Sequence, residues 1–257
     1  MDRTGAARMD VEKIVAWYRA PRKASIPASK ALELYFQFHP RTAFLKTLPA
    51  RAVVADIGAG DGSLSTFRDW PEPVRRDLRL YAYSLEKGEH FDAFDGYETG
   101  DWNLARPGFD GLRFDGIVSA HFIEHIEDAG TFIDWAAQRL APGGRAYVEW
   151  PSPESLHLPP LSELHGAGVP LVISRFDDDC THQHLPDRDA VAVRAVEAGL
   201  TVAASGSIRL PWLEDELMAS FRDAADRFPA QAAFWSWTQW SQYLVLERPS
   251  GLREEEA

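Results

Sequence analysis

A single cysteine, Cys180, stands in 257 residues, so no disulfide can close within the chain. A lone thiol of this kind is more often inert packing than a nucleophile. Basic residues are also short: 27 Lys and Arg face 39 Asp and Glu, a formal net charge of −12. A polyanionic partner needs a concentrated cationic surface, so nucleic-acid binding is not expected. The local exception, Arg19, Arg22 and Lys23 with Lys30 close by, reads as a solvated helix end. No window approaches the roughly 20 apolar residues of a membrane span. The stretch from Met1 to Arg22 lacks the uninterrupted apolar core of a secretory signal. Apart from the acidic end Glu254-Glu255-Glu256 there is no low-complexity tract, and no internal repeat. The expectation is a soluble, cytoplasmic chain with one core; at 45% hydrophobic residues the composition is ordinary.

What is present is a series of short apolar runs. Arg51 to Ile57 is β-branched and apolar and ends in glycines, as a buried parallel strand does on entering a tight turn. Further strands are expected at Leu78 to Leu85, Gly96 to Thr99, Phe114 to Ser119, Arg145 to Trp150, Thr201 to Ala204 and Gln242 to Glu247. Helical spacing runs from Asp128 to Leu140, stopped by Pro142-Gly143-Gly144, and again from Asp187 to Ala198, closed by Gly199. Strands separated by crossovers predict a doubly wound α/β fold with a mainly parallel, seven-stranded sheet. Ligands of such sheets bind beyond the carboxyl ends of the strands, where the strand order reverses. The expected division is an N-terminal helical extension (1–48), a catalytic domain (49–250) and an acidic tail (251–257). Two aromatic insertions, 151–186 and 211–238, are expected as a lid over the substrate or as additional core.

The most informative segment is Val53-Val54-Ala55-Asp56-Ile57-Gly58-Ala59-Gly60-Asp61-Gly62. Gly58 and Gly60 permit backbone conformations and a close approach that a Cβ would block. The segment resembles the signature of class I S-adenosylmethionine-dependent methyltransferases, an acidic residue followed by glycines at alternate positions. The resemblance implies a Rossmann-like fold with S-adenosylmethionine as cofactor, its amino-acid end against Gly58, Gly60 and Gly62 and its ammonium drawn to Asp56. A dinucleotide site would need G-x-G-x-x-G and would place Asp56 and Asp61 beside a pyrophosphate they repel, which disfavours a nicotinamide-dependent oxidoreductase.

Further positions fit the resemblance. Glu86, in Tyr-Ser-Leu-Glu, stands where the family has a carboxylate that accepts both ribose hydroxyls. Asp101, in Gly-Asp-Trp-Asn, stands where a side chain meets the adenine amino group, and Trp102 is placed to flank the ring. His121-Phe122-Ile123-Glu124-His125-Ile126-Glu127-Asp128 resembles the "EHxxD" stretch of many small-molecule methyltransferases, and Pro142-Gly143-Gly144 their turn before the fifth strand. The likeness covers Arg51 to Trp150 well and Asp187 to Ala204 less specifically.

Methyl transfer from a sulfonium is an in-line displacement, for which positioning alone is worth about 7–11 kcal/mol. If the acceptor is a hydroxyl, a general base helps; His121 is the first candidate and His184 the second. His121, Glu124 and His125 have i, i+3, i+4 spacing, which would put them on one helical face, with His182 or His184 as a further ligand to a divalent metal. Some relatives carry Glu-x-x-Glu-His there; a histidine in the first position favours zinc, iron or manganese over magnesium, and many relatives bind no metal. Asp177-Asp178-Asp179 lacks calcium-loop spacing and is expected as a turn. The acceptor is expected to be a small or glycan-like molecule taking the methyl at oxygen or nitrogen. The rival expectation is a protein of the same fold that binds the cofactor without turnover. The oligomeric state is left open.

Overall fold

The computed structural model describes residues 9–221 and 227–251. The chain divides into two compact units, one built around the sheet (His39–Trp150, Gln183–Gly206 and the chain after Gln242) and one from the described residues up to Phe38 with Pro151–His182 and Ser207–Ser241. The first boundary thus falls at His39, where residue 48 was expected. The expected acidic tail lies outside the described residues.

The sheet unit holds β1 (Val53–Ile57), β2 (Arg79–Ser84), β3 (Gly96–Thr99), β4 (Phe114–Ala120), β5 (Leu140–Pro151), β6 (Thr201–Ser207) and β7 (Ser241–Glu247) in the order β3-β2-β1-β4-β5-β7-β6. Parallel pairing joins β3, β2, β1, β4 and β5. β7 runs against its neighbours: backbone bonds link Arg248 with Gly144 and Ser152 with Trp240 on one side, and Ile208 with Ser241 on the other. The strand order therefore reverses between β1 and β4, and the ligand crevice of a doubly wound sheet belongs at their carboxyl ends.

β1 is buried on both faces from Val54 onward, as the central strand of a parallel sheet must be. It starts two residues later than the apolar run suggests, because Arg51 takes a left-handed conformation (φ 61°) and gives its N–H to Asp77. Pro142-Gly143-Gly144 does not end an element before β5. It lies within the strand, where the register against β4 slips between Phe114 and Gly116. A Cβ on Gly144 would stand 2.8 Å from the Phe114 carbonyl, so only glycine lets the chains approach there.

Helix α3 (Pro40–Lys46) packs on β4. Helices α4 (Ala129–Arg139) and α6 (Arg188–Glu197) pack together and cover the sheet. Asp128 and Asp187 cap them, accepting from Gly130 N (2.8 Å) and Ala190 N (2.9 Å). Gly199 (φ 85°) closes α6 as expected. The buried face of α4, Phe132, Ile133, Trp135 and Ala136, meets Ile117, Val148 and Trp150 in the main core. Each large side chain so buried contributes about 1.5–3 kcal/mol. The crossover from β1 to β2 is only a 3-10 turn, Ser63–Arg68.

The second unit is helical: α1 (Val11–Arg19), α2 (Ala28–Phe38), α5 (Leu161–Gly166), α7 (Glu214–Ser220) and α8 (Phe228–Thr238). Its aromatic residues pack on one another; Trp17 and Trp237 stack at 4.5 Å. α8 is apolar nearly all round and correspondingly buried. Asp178 orders its loop, accepting from Leu161, Ser174 and Arg175 N–H groups, and Asp179 accepts from Thr181. These aspartates are loop supports, in line with the expected turn. No helix among the described residues is long and apolar enough to cross a membrane.

Candidate cofactor and acceptor site

At the end of β1 the chain bends through three left-handed glycines, Gly58 (φ 79°), Gly60 (φ 57°) and Gly62 (φ 84°). Gly58 and Ala59 both give their N–H groups to the Tyr83 carbonyl at 2.9 Å, which ties the bend to the end of β2. The three positions differ in what they face. A Cβ on Gly58 would meet Phe122 Cβ at 2.6 Å, and one on Gly62 would meet Phe91 at 2.9 Å. On Gly60 it would meet nothing within 4 Å. Two glycines are demanded by packing, while the third borders open space.

Asp56, one residue before the end of β1, is 6% exposed. Burial pushes its carboxyl up to about 7, with Arg41 drawing it down and Asp61 adding to the rise. A cation brought beside it would restore the charge, so this acid suits the ammonium of an amino-acid cofactor. Glu86, two residues past β2, is exposed, and Gly88 beyond it lies against the glycine bend. A Cβ on Gly88 would stand 2.5 Å from the Gly60 carbonyl, and His90 gives its N–H to the Asp61 carbonyl at 2.8 Å. The segment carrying Glu86 is thereby held to the bend. Asp101, just past β3, is exposed and near Tyr83, whose phenol is pushed up to about 12 by burial, Asp101 and Glu98. Tyr83 thus joins the bend through its carbonyl to the Asp101 region through its ring. The structure brings Asp56, the glycines, Glu86 and Asp101 to the carboxyl ends of β1, β2 and β3.

Trp102 is not an exposed ring. It is 3% exposed, gives its indole N–H to Thr131 Oγ1 (2.9 Å) and sits edge-on to Phe122 and Trp135. Its apolar area belongs to the core, and the ring-flanking role expected of it does not suit that position.

After β4 the expected helical face does not form. Residues 121–128 are bends and turns, and the helix begins only at Ala129. His121 itself is left-handed (φ 53°), and its N–H continues the ladder to the Glu149 carbonyl at 2.9 Å. The imidazole lies between two buried carboxylates: Nδ1 is 3.2 Å from Glu124 Oε1 and Nε2 is 3.1 Å from Glu149 Oε1. Burial opposes its charge, but the two carboxylates outweigh it and hold the pKa up at about 9. Glu149 is pushed up by burial and more strongly down by the positive charge around it, His121 and Arg41 included, so it stays ionised well below the usual range. Tyr147 gives its hydroxyl to Glu149 Oε2 at 2.7 Å, and His39, fully enclosed, is held neutral with a pKa of about 4. The corner after β4 is therefore an ion-paired cluster next to the point where strand order reverses.

Residues 28–205 match the protein family described as Methyltransferase domain. The chain belongs to that family. It is a class I S-adenosylmethionine-dependent methyltransferase, with the Rossmann-like sheet of that class. A search of curated proteins finds no match. Among solved structures of like fold is a chain from the complex of the Haloferax volcanii Trm112 methyltransferase activator with a methyltransferase (TM-score 0.53, 18% identity, 86% of this chain and 96% of that one). Another is an O-methyltransferase family protein of Burkholderia thailandensis (0.50, 15%, 94% of this chain and 59% of that one). A third is Haemonchus contortus phosphoethanolamine N-methyltransferase 2 in complex with S-adenosyl-L-methionine (0.53, 14%, 95% and 58%).

In this methyltransferase the metal-ligand set expected around His121 is not supported. Both ring nitrogens of His121 face carboxylates, Nδ1 that of Glu124 and Nε2 that of Glu149, and a pKa of about 9 favours the protonated ring. Its place as general base meets the same objection. His125, on the same loop, has its carbonyl bonded by Gln183 Nε2 (2.7 Å). His182, in the helical unit, stacks on Phe176 at 4.4 Å with Nδ1 2.6 Å from that residue's carbonyl oxygen. His184 lines a groove of about 400 Å³ between the first turns of α4 and α6, whose walls include Glu127, Asp128, Asp187 and Arg194 and none of the glycine bend. Sequence reasoning missed Tyr83, Gly88, Glu149 and Tyr147. The alternation Arg145, Tyr147, Glu149 along β5 was the available signal for the last two.

Proposed function

We propose that this methyltransferase holds S-adenosylmethionine with Asp56, Gly58, Gly60, Gly62, Glu86 and Asp101 and methylates oxygen or nitrogen of a small-molecule or glycan-like acceptor. The observation that carries the proposal is the contrast at the glycine bend, where Gly60, alone of the three glycines, borders open space beside a buried acid that burial pushes up further than Arg41 draws it down. When bound, the cofactor supplies an electrophilic methyl group on a sulfonium. The chain's own residues bind and orient. Asp56 would attract the ammonium, the Glu86 carboxylate would accept a vicinal diol, and the glycine bend would lie against the cofactor's amino-acid end.

His121 serves as a fixed cation that keeps Glu124 and Glu149 in place. An amine arriving with its lone pair free needs no base, whereas a hydroxyl must lose a proton. The fold itself accommodates either atom, since the structures of like fold include an O-methyltransferase family protein and a phosphoethanolamine N-methyltransferase. The net charge of −12 supports a small acceptor over a nucleic acid. His121 is also the observation that favours the rival reading, binding without turnover, because both its ring nitrogens face carboxylates.

Calorimetry tests the cofactor half: S-adenosylmethionine and S-adenosylhomocysteine are expected to bind at micromolar levels, about −8 kcal/mol, and NAD not at all. Glu86→Ala is expected to weaken cofactor binding by about 1–3 kcal/mol. An unchanged affinity in the folded variant removes the ribose role. Incubation with methyl-labelled cofactor and panels of small amines and alcohols separates turnover from binding alone. Label in no acceptor, with cofactor bound, favours the rival.

A further inference from the structure

A cavity of about 570 Å³ lies at the amino ends of β4 and β5, the end of the sheet opposite the glycine bend. Three arginines line it: Arg113 just before β4, Arg139 in the last turn of α4, and Arg248 just after β7. With 39 acidic side chains against 27 basic ones, an arginine of this chain has carboxylates to spare. Yet none of the three is paired with a carboxylate among the described residues. The one acid in the wall, Asp134, is engaged by Arg194 of α6.

Two of the guanidiniums are fixed. Arg113 Nη1 donates to the carbonyls of Gln138 (2.7 Å) and Leu140 (3.3 Å), and Arg248 Nη1 to those of Ala137 (3.2 Å) and Leu140 (2.8 Å). Both close the carbonyl end of α4, where a helix favours positive charge. Because they share the Leu140 oxygen, their Nη1 atoms lie within 6.1 Å of each other. Two guanidiniums held so close repel one another, and each keeps Nε and Nη2 for a further acceptor. Arg139 adds a third positive charge and makes no hydrogen bond among the described residues. Closing a helix explains two of these arginines; it does not explain three on one cavity.

We propose that this cavity binds a phosphate dianion, free or as the monoester of a small soluble molecule. A phosphate sets three terminal oxygens and about two charges against three guanidiniums, whereas a carboxylate offers two oxygens and one charge. The volume exceeds that of a bare phosphate, which leaves room for the organic part of an ester. No aromatic ring lines the cavity, so a nucleobase has nothing to stack on. The net charge of −12 does not exclude a small anion here. Exposed charges are screened beyond about 8 Å in physiological salt, and the charges nearest the ligand are the arginines. The inference is independent of the cofactor and acceptor assigned above.

Calorimetry on the full chain in about 0.15 M salt, with inorganic phosphate, glycerol 3-phosphate and glycerol as probes, tests it. One phosphate group per chain is expected to bind with a Kd below about 1 mM, and glycerol is expected to give no heat. A tighter ester assigns the site to a phosphorylated small molecule, and equal affinities assign it to free phosphate; both support the proposal. Arg139→Gln removes a side chain without a bonded partner, so the variant is expected to fold normally. It is expected to weaken phosphate binding about 10-fold or more, with the affinity for S-adenosylhomocysteine unchanged. No binding of either phosphate compound at about 10 mM overturns the proposal. So does binding that Arg139→Gln leaves untouched, and so does phosphate that S-adenosylhomocysteine displaces.

Discussion

Two neighbouring strands, β1 and β4, leave the sheet at the same edge through left-handed residues, and they do so by opposite means. After β1 the bend is made of glycines, which adopt φ values of 57–84° without a side-chain penalty. After β4 it is made of His121 at φ 53°, a conformation that costs a non-glycine residue of order 1–3 kcal/mol. That cost is offset by the imidazole's place between Glu124 and Glu149 and by the backbone bond to Glu149. The lesson is that one bend is specified locally, by residue type, and the other by partners far away in sequence. The first leaves space for a ligand; the second consumes its charges in holding itself.

The comparison can be broken most forcefully at Glu149. Glu149→Ala strands the His121 cation and leaves the Tyr147 hydroxyl without its acceptor, and is expected to cost about 3–5 kcal/mol in a denaturant titration. Loss of less than about 1 kcal/mol contradicts an over-determined corner. Next comes Gly58→Ala, which adds a Cβ 2.6 Å from Phe122 at a positive φ. About 2–4 kcal/mol of stability is expected to go, read as a lowered denaturation midpoint.

A pH titration of stability probes the His121 corner directly. The folded pKa of about 9 lies above the ordinary 6.5, so the folded chain holds a proton that the unfolded chain releases in between. The stabilisation is complete below about pH 6.5 and is lost as the pH rises to about 9. With a third of the side chain exposed, solvent screening reduces it to roughly 1–2 kcal/mol. The loss is expected to vanish in His121→Asn, a residue that tolerates the left-handed conformation. Asp56 has the same sign in a lower window: its pKa of about 7 means stability falls between about pH 4 and 7, and Asp56→Asn is expected to flatten that slope. The smallest effect on stability belongs to Gly60→Ala, about 1 kcal/mol from its φ alone. Its expected mark is instead a weaker affinity for S-adenosylhomocysteine by calorimetry. Equal affinity contradicts the view that Gly60 faces the cofactor.

Much of the sheet was legible in the sequence because its evidence is local. β3 was placed at its observed ends, and α4 and α6 within a residue of theirs, since apolar periodicity, capping aspartates and Gly199 all act over a few positions. Pro142-Gly143-Gly144 misled because a proline and two glycines read as a stop, while the strand absorbs them as a register slip against β4 and a bond to Arg248. Trp102 misled because an aromatic after an acid looks like a ring platform until its burial is known. The i, i+3, i+4 spacing of His121, Glu124 and His125 describes a helical face only if a helix exists, and the ladder bond to Glu149 extends β-type pairing past the strand end instead.

The sequence by itself determined the glycine bend, its leading acid and the alternation of strands with crossovers, because backbone freedom and apolar periodicity are written residue by residue. Tertiary structure alone decided the state of His121. Its charge depends on Glu149, 28 positions away, and on burial beside it, and no local pattern encodes the distance between two strands' ends or how much water is kept from them.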